Sequence, residues 1–252
     1  MWKRFFLWNL PLTAAVVSAA VFAFGFFTIV RGHAGIAVSA PTAPVVEART
    51  TGKLNIAILG DSLARGTGDQ TGLGIGGNLD AMLARRKIPV DQTVNLAVNG
   101  ARTADLLRTM ESRNVQQILA ASNVIVVSIG GNDLFGDVQS LDGPPKNPDE
   151  ILDRVRGHVN EIVKKIRQAS PRSRIFLIGL YNPFIDSPWG GQANGLVNRW
   201  NARLMEDFQD DRDLTVVQTS DIFSHRHRLS LDRFHPGTEG YQLITARIAE
   251  SL

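Results

Sequence analysis

The sequence contains no cysteine among its 252 residues. That absence excludes disulfide bonds, thiol nucleophiles and zinc sites built from cysteine thiolates. It also excludes a membrane anchor attached to a lipidated cysteine. The composition is otherwise that of a globular protein, with 44% hydrophobic and 20% charged residues. Neither intrinsic disorder nor fibrous structure is therefore expected.

The body of the chain also lacks an excess of charge of either sign, although the net charge is +3. Of 27 basic and 24 acidic residues, only Lys3, Arg4, Arg31, Arg49 and Glu47 lie in the first 49 positions, which leaves 23 of each sign beyond them. The basic character comes from the N-terminal tail. A nucleic-acid partner, which would need a basic surface, is not predicted.

Residues 12–30 form a run of 19 residues without a charge, preceded by Lys3 and Arg4 and followed by Arg31. A helix of this length spans roughly 30 Å, enough to cross the hydrocarbon core of a bilayer. Residues 38–40 (Val-Ser-Ala) also fit the pattern that signal peptidase cleaves. The length favours an uncleaved single-pass anchor over a cleaved signal. Both interpretations place the remainder of the chain outside the cytoplasm, on a bacterial membrane or secreted.

Three segments follow from this pattern: a membrane or signal segment at 1–31, a linker at 32–52 and one domain at 53–252. In the domain, short apolar runs alternate with longer amphipathic patterns, which is typical of a parallel sheet covered by helices. The predicted strands are 54–59, 93–98, 124–129, 174–180 and 214–218. The predicted helices are 76–86, 103–111, 148–169, 192–209 and 237–250. We expect a three-layer α/β/α sandwich with five strands.

Polar residues that follow the predicted strands are the candidates for chemistry, because ligands bind at the carboxyl edge of a parallel sheet. Ser62 follows the first strand through Gly60 and Asp61. A serine hydroxyl is a weak nucleophile unless a base takes its proton. Considered alone, a serine in this position is usually only a helix N-cap.

His235 is the candidate base among five histidines. Pro236 disfavours helical geometry at His235 and leaves the imidazole on a loop. Asp232, three residues earlier, is placed to accept a hydrogen bond from Nδ1, so that Nε2 can take the serine proton. Considered alone, such a segment is more often a surface loop with an incidental aspartate and histidine.

Acyl transfer also requires hydrogen-bond donors for the oxyanion of the tetrahedral intermediate. The backbone N–H of Ser62, the backbone N–H of Gly100 and the side-chain amide of Asn132 follow successive predicted strands. Each is separately explained as a turn or cap residue. Their joint occurrence at one sheet edge predicts an oxyanion hole.

The sequence resembles the SGNH/GDSL hydrolase superfamily in four blocks that occur in the family's order between residues 60 and 236. The blocks are Gly60-Asp61-Ser62-Leu63, Gly100, Gly130-Gly131-Asn132-Asp133, and Asp232-Arg233-Phe234-His235-Pro236. The resemblance implies a flavodoxin-like sandwich, Ser62 as nucleophile, His235 as general base and Asp232 as the residue that orients it. It also implies an oxyanion hole from Ser62, Gly100 and Asn132, and neither cofactor nor metal. Within the family, the chain is similar to bacterial lysophospholipase-like esterases with an N-terminal membrane segment.

Other interpretations are weaker. The glycine-rich stretch 66–77 lacks the Gly-Lys-Ser/Thr ending of a P-loop, and a loop at the active site is expected instead. Ser62 is not in a G-x-S-x-G elbow, which argues against an α/β-hydrolase. Asp61 is expected to support the turn at Ser62, and Asp133 to bind backbone N–H groups. Three aromatic residues that follow strand ends, Phe135, Phe184 and Trp189, are candidates for an acyl pocket.

The sequence thus predicts an extracytoplasmic serine esterase acting on small or lipid esters through an acyl-serine intermediate. Two alternatives use the same residues: removal of acetyl groups from cell-wall glycans, and acyl transfer. A third belongs to another class, a membrane-tethered binding protein without turnover. The presence of Ser62, Asn132 and His235 argues against it. Acyl-chain preference and oligomeric state are not predictable from the sequence.

Overall fold

The computed structural model describes residues 52–136 and 147–252, together with the isolated Ser18. Within these ranges, five parallel strands form one sheet in the order β2-β1-β3-β4-β5. The strands are β1 (Leu54–Gly60), β2 (Val90–Asn95), β3 (Val124–Ser128), β4 (Arg174–Ile178) and β5 (Leu214–Val217). This order is that of a flavodoxin-like sheet, as expected from the sequence.

Eight α-helices occur in the described residues. They are α1 (Ser62–Arg65), α2 (Gly74–Arg85), α3 (Thr103–Thr109), α4 (Arg113–Ala121), α5 (Gly131–Phe135), α6 (Pro148–Ala169), α7 (Gly190–Phe208) and α8 (Thr238–Glu250). Two 3₁₀ turns, Ile222–Ser224 and Arg226–Arg228, precede α8.

The sheet has a hydrophobic core on each face, because successive side chains of a strand point in opposite directions. In β1, Ile56 and Ile58 belong to the core that α2 and α8 cover. Ala57 and Leu59 belong to the core on the other face, which α3, α4, α6 and α7 cover. Burial on both faces explains why β1 and β3 are continuous apolar runs without alternation.

The structure differs from the sequence prediction at β2 and α4. The second strand is predicted at 93–98, but in the structure it begins three residues earlier, at Val90. Polar residues are tolerated there because β2 is an edge strand. Asn95 ends it: its side chain donates to the Ala64 carbonyl and accepts from the Ala97 N–H. Helix α4 was not predicted, although Val115 and Leu119 have the four-residue spacing of a buried helical face.

The topology brings the ends of β1 and β3 together at the carboxyl edge. The chain leaves β1 toward α1 on one face of the sheet and leaves β3 toward α5 and α6 on the other. This divergence between neighbouring strands is the switch point where open α/β sheets bind ligands. Ser62 immediately follows β1 and Asn132 follows β3.

No helix in residues 52–136 and 147–252 is long and apolar enough to cross a membrane. The segment 12–30, for which a membrane span is predicted, lies outside the described residues, as do the predicted cleavage site and nearly all of the linker.

Candidate active site

Ser62 is positioned by the abrupt end of β1. Gly60 adopts a φ of +133°, and a Cβ atom at this position would overlap the carbonyl oxygen of Ser128 on β3. A glycine is therefore required where β1 leaves the sheet. Asp61 then caps α1 by accepting a hydrogen bond from the Leu63 N–H at 3.1 Å. Ser62 is the first residue of α1, so its side chain lies at the sheet edge.

Ser62, His235 and Asp232 form a continuous chain of hydrogen bonds. The Ser62 Oγ lies 2.8 Å from Nε2 of His235, and Nδ1 of His235 lies 2.7 Å from Oδ2 of Asp232. The other oxygen of Asp232 accepts from the Ser230 hydroxyl at 2.6 Å and from the N–H of Phe234 at 2.8 Å. With Nδ1 donating to Asp232, Nε2 carries the lone pair that can accept the Ser62 proton.

The Asp232 carboxylate is strongly stabilised in its ionised form. Burial raises its pKa, but the hydrogen bonds from Ser230, His235 and the backbone outweigh burial and lower the pKa to about 2. Asp232 therefore remains negative at neutral pH. A fixed negative charge beside Nδ1 stabilises the imidazolium that forms when His235 takes a proton.

The loop that carries Asp232 and His235 is held closed by backbone contacts. Leu229 and Pro236 form an antiparallel bridge, and the Ser230 N–H donates to the His235 carbonyl at 2.8 Å. The hydroxyl of buried Tyr181 donates to the Phe234 carbonyl at 2.7 Å. The imidazole orientation therefore depends on several elements at once.

Asn132 lines the same cavity as Ser62. Its side-chain Nδ2 donates to the Ala101 carbonyl at 2.9 Å. A primary amide has two N–H donors, so one is left for an oxyanion. Gly100 lies in the turn before Ala101 with a φ of +76° and is not among the residues that line the cavity. The oxyanion roles of Ser62, Gly100 and Asn132 stay predictions.

A partly buried polar network behind Asn132 was not predicted. Asp133 accepts hydrogen bonds from the Thr103 N–H at 2.9 Å and the Thr103 hydroxyl at 2.7 Å. The same hydroxyl lies 2.8 Å from Nδ1 of His158 on α6. The network links α5 to the start of α3. The Ala101 carbonyl lies just before this helix in the chain. The network therefore holds Asn132 relative to the turn at Gly100. Asp133 thus accepts a hydrogen bond from a backbone N–H group, as the sequence predicts.

The cavity beside Ser62 has a volume of about 40 Å³. Its apolar wall includes Leu63, Leu180 and Pro183, and three aromatic rings also line it, those of Phe135, Tyr181 and Phe234. Of the aromatic residues predicted to line an acyl pocket, only Phe135 does so. Phe184 and Trp189 lie behind it, with the Phe184 ring centroid 5.2 Å from Phe135 and 4.4 Å from Trp189. The hydrophobic wall suits the acyl part of an ester.

No cluster of three or more histidine and acidic side chains that could hold a metal ion occurs in residues 52–136 and 147–252. The polar side-chain groups that line the cavity are three hydroxyls, one imidazole, one amide and one carboxyl group, and the Asp232 carboxylate lies behind the imidazole. These groups are sufficient for acyl transfer to a serine, which requires a nucleophile, a base and oxyanion donors.

We expect Asp61→Asn to stabilise the protein at alkaline pH. Burial raises the pKa of Asp61 to about 7 against the hydrogen bonds of Leu63, Ala64 and Ser128. A carboxyl group with a raised pKa stabilises the fold at low pH, and that contribution is lost as pH rises through about 7. An asparagine can still accept from the Leu63 N–H and carries no charge.

The measurement for Asp61→Asn is urea unfolding at pH 4.5 and pH 8.5. The free energy of unfolding of the variant, relative to the original chain, should be higher at pH 8.5 than at pH 4.5 by roughly 3 kcal/mol. Asp80→Asn, on α2, is a control in which a carboxyl is replaced elsewhere. An equal effect of Asp61→Asn at both pH values would show that burial does not raise this pKa.

Gly68 lies against the His235 loop. Its φ is +94°, and a Cβ atom would lie 2.7 Å from the Pro236 carbonyl oxygen and 2.9 Å from the His235 Cβ. We expect Gly68→Val to displace His235 and lower kcat by about 10²-fold, since misplacement of a catalytic group by 1 Å has that cost. Gly72→Val is the control, because Gly72 also has a positive φ but no atom within 4 Å.

Steady-state kinetics and thermal unfolding of both glycine variants separate the two effects. Both should lose similar stability from backbone strain, and only Gly68→Val should lose most of its kcat. Equal loss of kcat in the two variants would mean that contact with His235 does not matter.

Comparison with known proteins matches residues 58–243 to the model of the GDSL-like lipase/acylhydrolase family. The chain belongs to this family. The matched range spans Ser62 and His235 and covers most of the described residues. The chain is therefore a serine ester hydrolase, and the catalytic roles of Ser62, His235 and Asp232 stay predictions.

Among curated proteins, the chain is 27% identical to the uncharacterised protein YpmR of Bacillus subtilis (strain 168), over 82% of this chain and 84% of that protein. Among solved structures, it is similar to the lipase Lip_vut3 from a goat rumen metagenome, with a TM-score of 0.67 and 22% identity over 79% and 97% of the two chains. The psychrotrophic esterase EstA from Pseudoalteromonas sp. has a TM-score of 0.55 and 20% identity over 78% and 94%. At these identities the two structures show the shared fold.

Proposed function

We propose that this GDSL-family hydrolase cleaves carboxylic esters with a small apolar acyl group, through an acyl intermediate on Ser62, outside the cytoplasmic membrane. The observation that carries the chemistry is the unbroken chain of hydrogen bonds from Ser62 through His235 to Asp232. It opens onto a cavity with apolar walls.

In the first half-reaction, His235 Nε2 takes the Ser62 proton while Oγ attacks the ester carbonyl carbon. The carbonyl oxygen becomes an oxyanion, and donors placed around it contribute a few kcal/mol each to the transition state. His235 then gives the proton to the departing alkoxide, and an alcohol leaves. In the second half, His235 takes a proton from water while the water oxygen attacks the acyl carbon. His235 then gives this proton to the departing Ser62 Oγ, which releases the carboxylic acid and restores the Ser62 hydroxyl.

The size of the cavity limits the acyl group. A volume of about 40 Å³ accommodates only the first few carbon atoms of an acyl chain, since one water molecule already needs about 10–15 Å³ on this measure. Phe135 and Phe234 close its apolar side. Additional carbon atoms must lie outside the cavity, where their burial adds little to transition-state binding.

A panel of p-nitrophenyl esters with acyl chains of two to twelve carbons tests this proposal with the full chain. We expect kcat/KM to rise with acyl-chain length up to about four carbons and then to level off or fall. Phe135→Ala removes a ring from the cavity wall and enlarges the cavity, so the maximum of kcat/KM should move to longer acyl chains. Continued increase of kcat/KM to twelve carbons in the original chain would contradict the size limit.

A second candidate substrate is an acetyl ester on a cell-wall glycan, which the same small cavity favours. Both candidates use the same acyl-serine chemistry and differ only in the leaving group. Release of acetate from acetylated glycan fragments, compared with p-nitrophenyl acetate at equal concentration, distinguishes them. A higher kcat/KM for the glycan supports the second candidate.

The location outside the cytoplasm is supported by the uncharged run at 12–30 and by Lys3 and Arg4 before it. Protease treatment of intact cells tests it: the domain at 53–252 should be digested without lysis. Mass spectrometry of the mature chain determines whether the segment is retained. A chain that begins near Pro41 would show cleavage, and protection from protease in intact cells would contradict the proposed location.

A further inference from the structure

Four aliphatic side chains are exposed on loops around the Ser62 cavity. They are Leu73 (47% exposed), Val98 (55%), Ile185 (50%) and Leu231 (95%). In the described residues only one other large hydrophobic side chain is similarly exposed, Met205 on α7. Single exposed hydrophobic residues are ordinary on a soluble surface, but their concentration at one edge requires an explanation.

These loops contact one another and surround the catalytic residues. The Thr67 hydroxyl donates to the Asn99 side chain at 3.2 Å, which joins the loops of Leu73 and Val98. Gly68 lies against the His235 loop, which carries Leu231. The exposed side chains therefore belong to one continuous set of loops. The Ile185 loop joins the same set, since the ring centroids of Phe184 and Phe234 are 5.7 Å apart.

Arginine side chains without acidic partners occur on the same loops and adjoining helix ends. Arg65, Arg102 and Arg233 are exposed, and none of their guanidinium groups lies within 4 Å of a carboxylate in the described part of the chain. The acidic residues nearby are already engaged: Asp186 with Arg226, Glu239 with Arg228, Asp232 with His235, and Asp69 with Thr71 and Thr238. Among the described residues, this edge thus presents positive charge without a paired carboxylate beside aliphatic groups.

This combination fits the interface of an anionic bilayer better than other partners. Aliphatic side chains enter the boundary between headgroups and acyl chains, while guanidinium groups bind lipid phosphates. A second copy of the chain, docked by a two-fold axis, would place the same unpaired arginines against one another. Nucleic acid would use the arginines and leave exposed Leu231 and Val98 without a role.

We propose that this surface, the docking rim formed by Leu73, Val98, Ile185, Leu231, Arg65, Arg102 and Arg233, binds the surface of an anionic phospholipid bilayer. Docking places the cavity against the headgroup layer, so that esters held at that layer reach Ser62. This consequence rests on the proposed esterase function. The docking itself does not, since it is measurable without turnover.

The test uses the full chain with Ser62→Ala, so that lipid cannot be hydrolysed. Because the chain has no cysteine, a single Leu231→Cys substitution can carry an environment-sensitive fluorophore. Met205→Cys is the matched control at an exposed hydrophobic position away from the rim. Vesicles contain 30% phosphatidylglycerol in phosphatidylcholine, or phosphatidylcholine alone, with brominated acyl chains as quenchers.

Anionic vesicles should shift the emission of the label at position 231 to the blue and quench it, with at least a fivefold smaller effect at position 205. Arg65→Gln with Arg102→Gln should weaken vesicle binding of the rim about 10-fold or more, since each basic residue near an anionic surface contributes roughly fivefold. Arg172→Gln, at the opposite edge of the sheet, should not weaken it.

Three results would overturn the proposal that the docking rim binds an anionic bilayer. One is equal quenching at positions 231 and 205, which a nonspecific surface produces. Another is vesicle binding by the chain without quenching at position 231, as expected if only residues 12–30 bind. The third is a blue shift at position 231 before vesicles are added, which self-association produces. Turnover of p-nitrophenyl esters by the chain with Ser62 intact is measured separately, so failure of docking and failure of the esterase function are distinguishable.

Discussion

We expect Ser62→Ala to lower kcat/KM for p-nitrophenyl esters by about 10⁴-fold or more, because Ser62 is the cavity-lining serine whose hydroxyl is hydrogen-bonded to the His235 imidazole. Loss of the nucleophile in serine hydrolases removes most of the catalysis, and the residual rate comes from binding and the oxyanion donors. KM should change little, since the hydroxyl contributes its main effect in the transition state.

Ser128→Ala is the matched control for Ser62→Ala. Ser128 lines the same cavity, but its hydroxyl faces Asp61 at 3.4 Å and has no contact with His235 among its hydrogen bonds. We expect less than a tenfold change in kcat/KM for this variant. Initial rates at several ester concentrations give kcat and KM separately. If Ser128→Ala were the more damaging variant, the assignment of the nucleophile would be wrong.

Asp232→Asn should lower kcat by about 10³–10⁴-fold with little change in KM. The asparagine retains an oxygen for the backbone N–H groups of Phe234 and His235, but its NH₂ faces Nδ1 of His235. The imidazole then accepts at Nδ1 and carries its proton on Nε2, where it cannot take the proton of Ser62. The negative charge that stabilises the imidazolium is lost as well.

Ser230→Ala provides a graded comparison for Asp232→Asn. It removes one hydrogen bond to the Asp232 carboxylate but leaves the charge, so kcat should fall by roughly 10-fold, as for loss of one bond of about 1.4 kcal/mol. Circular dichroism checks that both variants are folded. Full activity of Asp232→Asn would show that Asp232 does not orient His235.

Much of the fold was predictable because hydrophobic pattern and strand burial agree. The runs that became β1, β3 and β4 are predominantly apolar, and the structure buries their apolar residues between two helical layers. Helix α6 has its predicted bounds, and Pro148 at its first turn gives a clear start signal. The predicted bounds of the edge strand β2 differ from those in the structure, because the first residues of this strand are partly or fully exposed and mostly polar.

The contacts among Ser62, Asp232 and His235 were predictable, because local sequence patterns combine here with the tendency of parallel sheets to bind ligands at their carboxyl edge. Asp232 and His235 are three residues apart, and Ser62 follows a strand, so their meeting required only the parallel topology. Contacts across long separations carry no such signal. Thr103 and His158 are 55 residues apart in sequence, and neither has a local pattern that indicates a buried hydrogen bond.

The cavity wall was predicted only in part for the same reason. Phe135, Phe184 and Trp189 all follow strand ends, but which ring faces Ser62 depends on how they pack against one another. Phe234 reaches the cavity from the His235 loop because Tyr181 holds its carbonyl. That contact joins β4 to a loop more than 50 residues later, which no sequence period indicates.

Labelling with a fluorophosphonate, followed by mass spectrometry of the digested protein, tests the central claim directly. An activated serine attacks the phosphorus and displaces fluoride, while an ordinary surface serine does not react. We predict one adduct, on the peptide that contains Ser62, no adduct in Ser62→Ala, and strongly slowed labelling in His235→Ala. An adduct on another serine, or labelling at the original rate in Ser62→Ala, would contradict the account.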